Sequence, residues 1–105
     1  MAASGTNKKK ALPYDSAEFL TEADVAEAYL TEALETDDPE FIAYAIGQVA
    51  KARGMTEIAK RAGVGRESLY KSLSGEKKPE FATILRVLAA LGYTLRIKPA
   101  PKKAA

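Results

Sequence analysis

The chain contains no cysteine, no histidine and no tryptophan. Without cysteine there is no disulfide framework and no thiolate metal site, and nothing marks the chain for an oxidising compartment. Without histidine as well, the usual zinc ligands and the commonest nucleophiles and general bases are missing. No apolar run approaches the roughly 20 residues that span a bilayer. The lysines at 8–10 are not followed by an apolar segment, so a signal peptide is not expected either. No glycine-rich phosphate loop follows a strand. These absences argue against an enzyme, a cofactor, a metal site and a membrane partner, and a cytoplasmic protein is expected.

Basic residues are missing from one long stretch. Residues 11–50 hold ten acidic side chains and no Lys or Arg, whereas residues 51–105 hold thirteen basic side chains against four acidic ones. A net charge of +2 conceals this division, which predicts different partners for the two halves. An acidic helix packed on a basic one for self-complementarity is the alternative. At 105 residues and 47% hydrophobic composition, the chain has material for one small domain with a modest core.

What is present is helical periodicity. Residues 1–13 are small, polar and basic and read as a disordered arm, and "PAPKKAA" (99–105) reads as a disordered tail. Residues 14–98 between them read as a single domain: an acidic helical region over 14–36, a bundle over 38–92 and a strand over 93–98. In the first helix, Thr21 and Asp24 have the spacing of a capping box, with Ala23, Ala26, Leu30, Ala33 and Leu34 on the apolar face. In the second, Asp38 is the N-cap, Pro39 the first helical residue and Gly54 the stop, and Ile42, Ala45, Ile46 and Val49 form the stripe. The third is capped by Thr56, with Ile58, Ala59 and Ala62 inward, and the fourth runs from Arg66 to about Leu73. The fifth turns Phe81, Ile84, Leu85, Leu88 and Leu91 to one side and ends at Gly92. The period then changes to two: Tyr93, Leu95 and Ile97 alternate with Thr94, Arg96 and Lys98. A six-residue strand needs a partner, since a lone strand is not stable.

The interruption in "AKRAGVGRESLYKSLSG" (59–75) carries the functional signal. Two short helices joined by a tight turn containing glycine have the form of a helix-turn-helix. Ala59 is small where the second helix crosses the first. Gly63 takes a positive φ without the steric cost of a Cβ, Val64 drops into the core, and Leu69 anchors the second helix. Around that anchor lie Arg66, Glu67, Ser68, Tyr70, Lys71 and Ser72, polar groups able to reach base edges in a major groove. Arg66 suits guanine O6 and N7, Glu67 suits cytosine N4, and the serines suit bases or phosphates. Gly65 lets a phosphate approach the helix N–H groups, and Thr56, Lys77 and Lys78 are placed for further phosphates. The alternative is a solvated face for Arg66 and Lys71 and partial core packing for Tyr70.

With these residues in view, "MTEIAKRAGVGRESLYKSLSGEKKPEFATILRVLAALGYTLRI" resembles the phage-repressor (Xre/Cro) type of helix-turn-helix. Together with the upstream "YDSAEFLTEADVAEAYLTEALETDDPEFIAYAIGQVAKARGM", it more closely resembles the addiction-module antidote proteins, DNA-binding antitoxins of type II toxin–antitoxin modules. The resemblance covers about residues 14–98 and implies an all-α, five-helix repressor-like fold. It further implies operator binding by a dimer, autoregulation of the operon and neutralisation of a RelE/ParE-like toxin. The motif helices then fall at 56–62 and 66–73, with the turn at 63–65. Two positions depart from the broader repressor pattern: Thr56 stands near where a glutamine often clamps a phosphate, and Ser72 stands where an apolar anchor is usual.

Ten carboxylates would repel DNA, so the acidic region is expected to face a basic toxin through Glu22, Glu27, Tyr29, Glu32 and Glu35. Strand 93–98 is expected to pair with its copy, burying Tyr93, Leu95 and Ile97 in a homodimer, or else to join the toxin's sheet. The competing function is a stand-alone helix-turn-helix repressor with no toxin.

Overall fold

Asp38 marks the one helix start with a side-chain cap among the described residues. Its backbone is extended, and its Oδ1 accepts from the amide N–H groups of Glu40 at 3.1 Å and Phe41 at 3.3 Å, two donors that otherwise have no partner at a helix start. Pro39 follows at the first helical position, where its missing N–H is no loss. The computed structural model describes residues 22–76 and 78–100, and the helix opened by Asp38 is the second of five. In chain order they are α1 (Ala23–Leu34), α2 (Pro39–Arg53), α3 (Met55–Ala62), α4 (Arg66–Ser72) and α5 (Phe81–Leu91). The arm expected over 1–13, Thr21 of the expected capping box, Lys77 and most of the expected tail lie outside the described residues.

Helix α2 is the hub, packed against α1, α3 and α5. It is accordingly buried on more than one side: Phe41, Ala43, Ala45, Ile46, Val49 and Ala50 are all shut away from water. Helix α3 packs on α5 and carries α4, while α1 packs mainly on α2. The largest fully buried side chains are Tyr29, Ile46, Leu69, Val49 and Val87, one or two from each of α1, α2, α4 and α5.

Several local expectations change. Thr56 does not cap α3: Gly54, at φ +107°, ends α2 and starts α3 in one step, so Met55 opens the helix and Thr56 lies exposed in its first turn. At α1, Glu22 is the N-cap and its side chain makes no capping bond, and Asp24 Oδ1 accepts from the neighbouring Val25 N–H at 2.9 Å. Ala23 and Leu34 are exposed, and Tyr29 takes the place expected for them on the buried stripe. On α5 the buried stripe is Ile84, Val87, Leu88 and Leu91, which leaves Phe81 67% and Leu85 42% exposed. Both stripes are apolar and helically spaced, and the contact with α3 and α2 selects between them.

Gly63 adopts φ +74°, ψ +31°, as expected. The amides of Gly63 and Val64 donate to the carbonyls of Lys60 at 3.2 Å and Ala59 at 3.0 Å, completing a Schellman closure. Val64 is half-buried against the core rather than inside it. The same closure ends α5, where Gly92 N–H donates to Ala89 and Tyr93 N–H to Leu88.

No strand forms at 93–98, and none is present among the described residues. A strand exists only through a ladder, and every described element of this chain is a helix whose backbone bonds are satisfied within itself. The segment instead runs without turn or bend along α1. Tyr93 Oη donates to Ala23 O at 3.3 Å near one end of α1, and Lys98 Nζ lies 3.8 Å from Glu35 Oε2 near the other. Arg53 donates through Nη1 to Leu91 O (3.1 Å) and through Nη2 to Tyr93 Oη (3.2 Å), so the Tyr93 ring is half-buried and held within its own chain.

Gly47 was not singled out by any sequence pattern. A Cβ there would stand 2.8 Å from the carbonyl oxygen of Leu73 and 3.1 Å from its Cβ, because α2 and the end of α4 meet backbone to backbone. Overpacking of this kind costs about 1–3 kcal/mol, against roughly 1 kcal/mol gained when alanine replaces glycine in a helix. Gly47→Ala is therefore expected to lower Tm by several degrees in thermal circular dichroism. An unchanged or higher Tm would show that α4 moves away from α2 at no cost.

Candidate nucleic-acid interface

Helix α4 exists because Gly63 reverses the chain. Its inner side is held by Leu69, fully buried, and by Leu73 just past its end, which takes the anchoring place that Ser72 leaves open. With those two inward, Arg66, Glu67, Ser68, Tyr70 and Lys71 are exposed together, and Ser72 is half-buried. The expected face is thus assembled as one surface, with Ser72 at its edge.

Within it, Arg66 leans on Tyr70 one turn later. The guanidinium carbon stands 5.4 Å from the ring centroid, and Nη2 donates to the hydroxyl at a long 3.5 Å. Such stacking restricts the arginine without neutralising it. No carboxylate pairs with Arg66 among the described residues, in contrast to Arg61, whose Nε donates to Glu57 Oε2 at 3.2 Å. A fixed, uncompensated guanidinium at a helix start matches the fork of guanine O6 and N7. Gly65 caps α4 in extended conformation without a side-chain bond, and a Cβ added to it would meet only Ser68 Oγ, at 4.0 Å. Its lack of a side chain therefore serves no internal contact and leaves the start of α4 open to a close external approach.

The remaining candidates are more scattered. Lys78 is exposed in the segment between α4 and α5, and Lys77 falls outside the described residues. Thr56 is exposed on α3 as described above. Glu67 and Glu76 add negative charge near this face, Glu76 beside Tyr70, Lys71 and Ser74 around a shallow hollow. No group of three or more metal-ligating side chains comes together among the described residues.

A second surface lies on α1. Glu22, Glu27, Glu32 and Glu35 are all exposed, and α1 has no interface with α4 comparable to its packing on α2. Tyr29 does not belong to this surface: it is 0% exposed, sealed between α1 and the bundle, and its ring is unavailable to a partner in this fold. Sequence reasoning missed the groove beside these acids. Leu30, Leu34, Leu88 and Leu95 line an open depression of about 400 Å³ between α1 and the C-terminal segment, with Glu27 and Glu35 on one rim and Arg96 and Lys98 on the other. Its sequence trace was Leu34, an apolar residue at the edge of the α1 stripe.

The family model described as "Probable addiction module antidote protein" matches residues 10–99. A curated "Uncharacterized protein" of Haemophilus influenzae (strain ATCC 51907 / DSM 11121 / KW20 / Rd) is 44% identical over 85 residues, covering 81% of this chain and 88% of the relative. No solved structure matches the chain significantly. No helix among the described residues is long and apolar enough to cross a membrane.

Proposed function

This chain belongs to the family of probable addiction module antidote proteins, and from that premise we propose that it is the antitoxin of a type II toxin–antitoxin module. It binds operator DNA as a dimer, with α3, the turn at 63–65 and α4 acting as a helix-turn-helix and α4 entering the major groove. By doing so it represses its own operon. Through the acidic face of α1 it covers and neutralises a RelE/ParE-like toxin.

The observation that carries the DNA reading is the left-handed break at Gly63, beyond which α4 buries Leu69 and exposes Arg66 with no acidic partner among the described residues. The toxin reading draws on charge: four exposed glutamates on α1 and at its two caps, a helix without substantial packing on α4, suit a basic protein surface and would repel phosphates. Dimerisation is favoured by Phe81, Leu85, Leu95 and Ile97, apolar side chains that the single chain leaves in water.

The test is operator binding by DNA from upstream of the chain's own gene. Arg66→Ala is expected to cost about 1–3 kcal/mol, roughly a 5- to 150-fold loss, and to relax discrimination at one base pair. Lys78→Ala is expected to weaken all sequences alike and reduce the salt slope by about one. Unaltered operator affinity in Arg66→Ala would mean that α4 does not read the groove.

A further inference from the structure

The apolar residues that the chain leaves in water are connected. Phe81 and Leu85 are exposed one turn apart on α5, and the buried Leu88 that follows them forms part of the groove together with the exposed Leu34 and Leu95, with Ile97 fully exposed just beyond. The segment along that groove is extended. Its contacts at Ala23 and Glu35 bracket α1, whose 12 residues span about 18 Å, and the five steps from Tyr93 to Lys98 cover roughly 17 Å at strand spacing. No backbone hydrogen bond joins residues 94–98 to the rest of the described chain. An unpaired extended edge beside exposed apolar surface is the arrangement that a second strand completes.

We infer that this edge is closed by a second copy of the chain in antiparallel register about Leu95. This rests on the dimeric reading above and deepens it. Leu95 then faces the partner's Leu95, Tyr93 faces the partner's Ile97, and Thr94 faces the partner's Arg96. The fully exposed Ile97 thus finds its cover over the groove beside Tyr93 of the other copy, where Leu30, Leu34 and Leu88 form the apolar floor.

Charge and topology select this register. Shifting the partner by two residues one way sets Arg96 against the partner's Arg96, a like-charge pair directly opposed across the ladder. The opposite shift brings Ile97 against the partner's Leu91, which is locked in α5 ahead of the left-handed closure at Gly92. A one-residue slip places every apolar side chain opposite Thr94, Arg96, Lys98 or, for Ile97 in one direction, Gly92. Pro99, with no N–H to donate, ends the ladder just past Lys98.

The absence of cysteine from the natural chain makes the test direct. Leu95→Cys and Arg96→Cys are made separately in the full-length chain and exposed to mild oxidation, with sedimentation and operator binding followed on the same samples. Leu95→Cys is expected to give a covalent dimer about tenfold faster than Arg96→Cys, since directly opposed positions approach disulfide geometry and diagonal ones do not. Leu95→Pro is expected to sediment as a monomer. Arg96→Cys cross-linking as fast or faster would overturn the register. A wild-type dimer in which neither variant cross-links would overturn the pairing and leave the dimer reading intact. A wild-type monomer at all concentrations would remove both. A chain that is monomeric alone but cross-links through Leu95→Cys to a co-expressed toxin carrying a free thiol would assign the edge to the toxin.

Discussion

Reversing three charges on α1, by Glu27→Lys, Glu32→Lys and Glu35→Lys together, is expected to abolish complex formation with the cognate toxin. The three carboxylates are exposed. Only Glu35 has an ion pair among the described residues, the exposed contact with Lys98 at 3.8 Å. Pairs of that kind contribute about 0–1 kcal/mol, so the fold is expected to survive. A basic toxin surface meeting three lysines instead of three carboxylates faces like-charge juxtaposition costing several kcal/mol, enough for a loss of roughly a thousandfold. Operator affinity, measured on the same protein, is expected to hold or rise slightly, because fewer negative charges repel the phosphates. Co-purification from the native operon and titration with isolated toxin check the result. Toxin binding equal to wild type would place the toxin elsewhere on the molecule. Loss of both activities would mean that α1 and α4 do not serve separate partners. The neutral variants, with glutamine at the three positions, are expected to fall between.

The parts of the fold written locally were legible. Asp38 and Pro39 start α2, Gly63 and Gly92 end α3 and α5, and Leu69 faces inward, all because caps and left-handed closures depend on residues within one or two turns of each other. What sequence alone missed depended on partners distant along the chain. Phe81 and Leu85 look as buriable as Val87 until α2 and α3 decide which side of α5 they cover. Gly47 is unremarkable until the carbonyl of Leu73 arrives against it. Thr56 looks like a cap, but Gly54 takes the cap position two residues earlier and makes no side-chain bond.

The candidate sites divide the same way. The face of α4 was readable because one buried anchor, Leu69, and helical spacing place Arg66, Glu67, Ser68, Tyr70 and Lys71 outward. The glutamates of α1 were readable as surface from their charge, but the groove next to them needs α1, α5 and the C-terminal segment together. Tyr93 illustrates the limit. Alternation with Leu95 and Ile97 marks it as one of a row, yet its hydroxyl accepts from Arg53 and donates to Ala23, residues 40 and 70 positions away. Of the three residues expected at a dimer contact, it is the most covered within its own chain. The tie also matters for the proposed function, since Tyr93 joins the helix assigned to the toxin to the segment assigned to the second copy.

Tyr29 separates a core residue from a partner contact by the largest stability change foreseen for a single substitution. It is fully buried and is the bulkiest such side chain among the described residues. Truncating a buried aromatic ring to alanine costs about 3–5 kcal/mol in transfer and cavity terms, against the 5–15 kcal/mol that holds a small domain folded. For a chain of this size, Tyr29→Ala is therefore expected to lower Tm by about 15 °C or more, measured by thermal denaturation. Toxin binding is expected to fall only in proportion to the unfolded fraction and to recover on cooling. Tyr29→Phe keeps the ring and is expected to cost only about 1 kcal/mol, the contribution of a hydroxyl hydrogen bond, rather than the cost of a cavity. A Tyr29→Ala protein that melts within a few degrees of wild type yet fails to bind toxin when fully folded would return Tyr29 to the partner surface. That result would require α1 to rotate on α2 far enough to expose the ring, and the glutamates assigned to the toxin would turn with it.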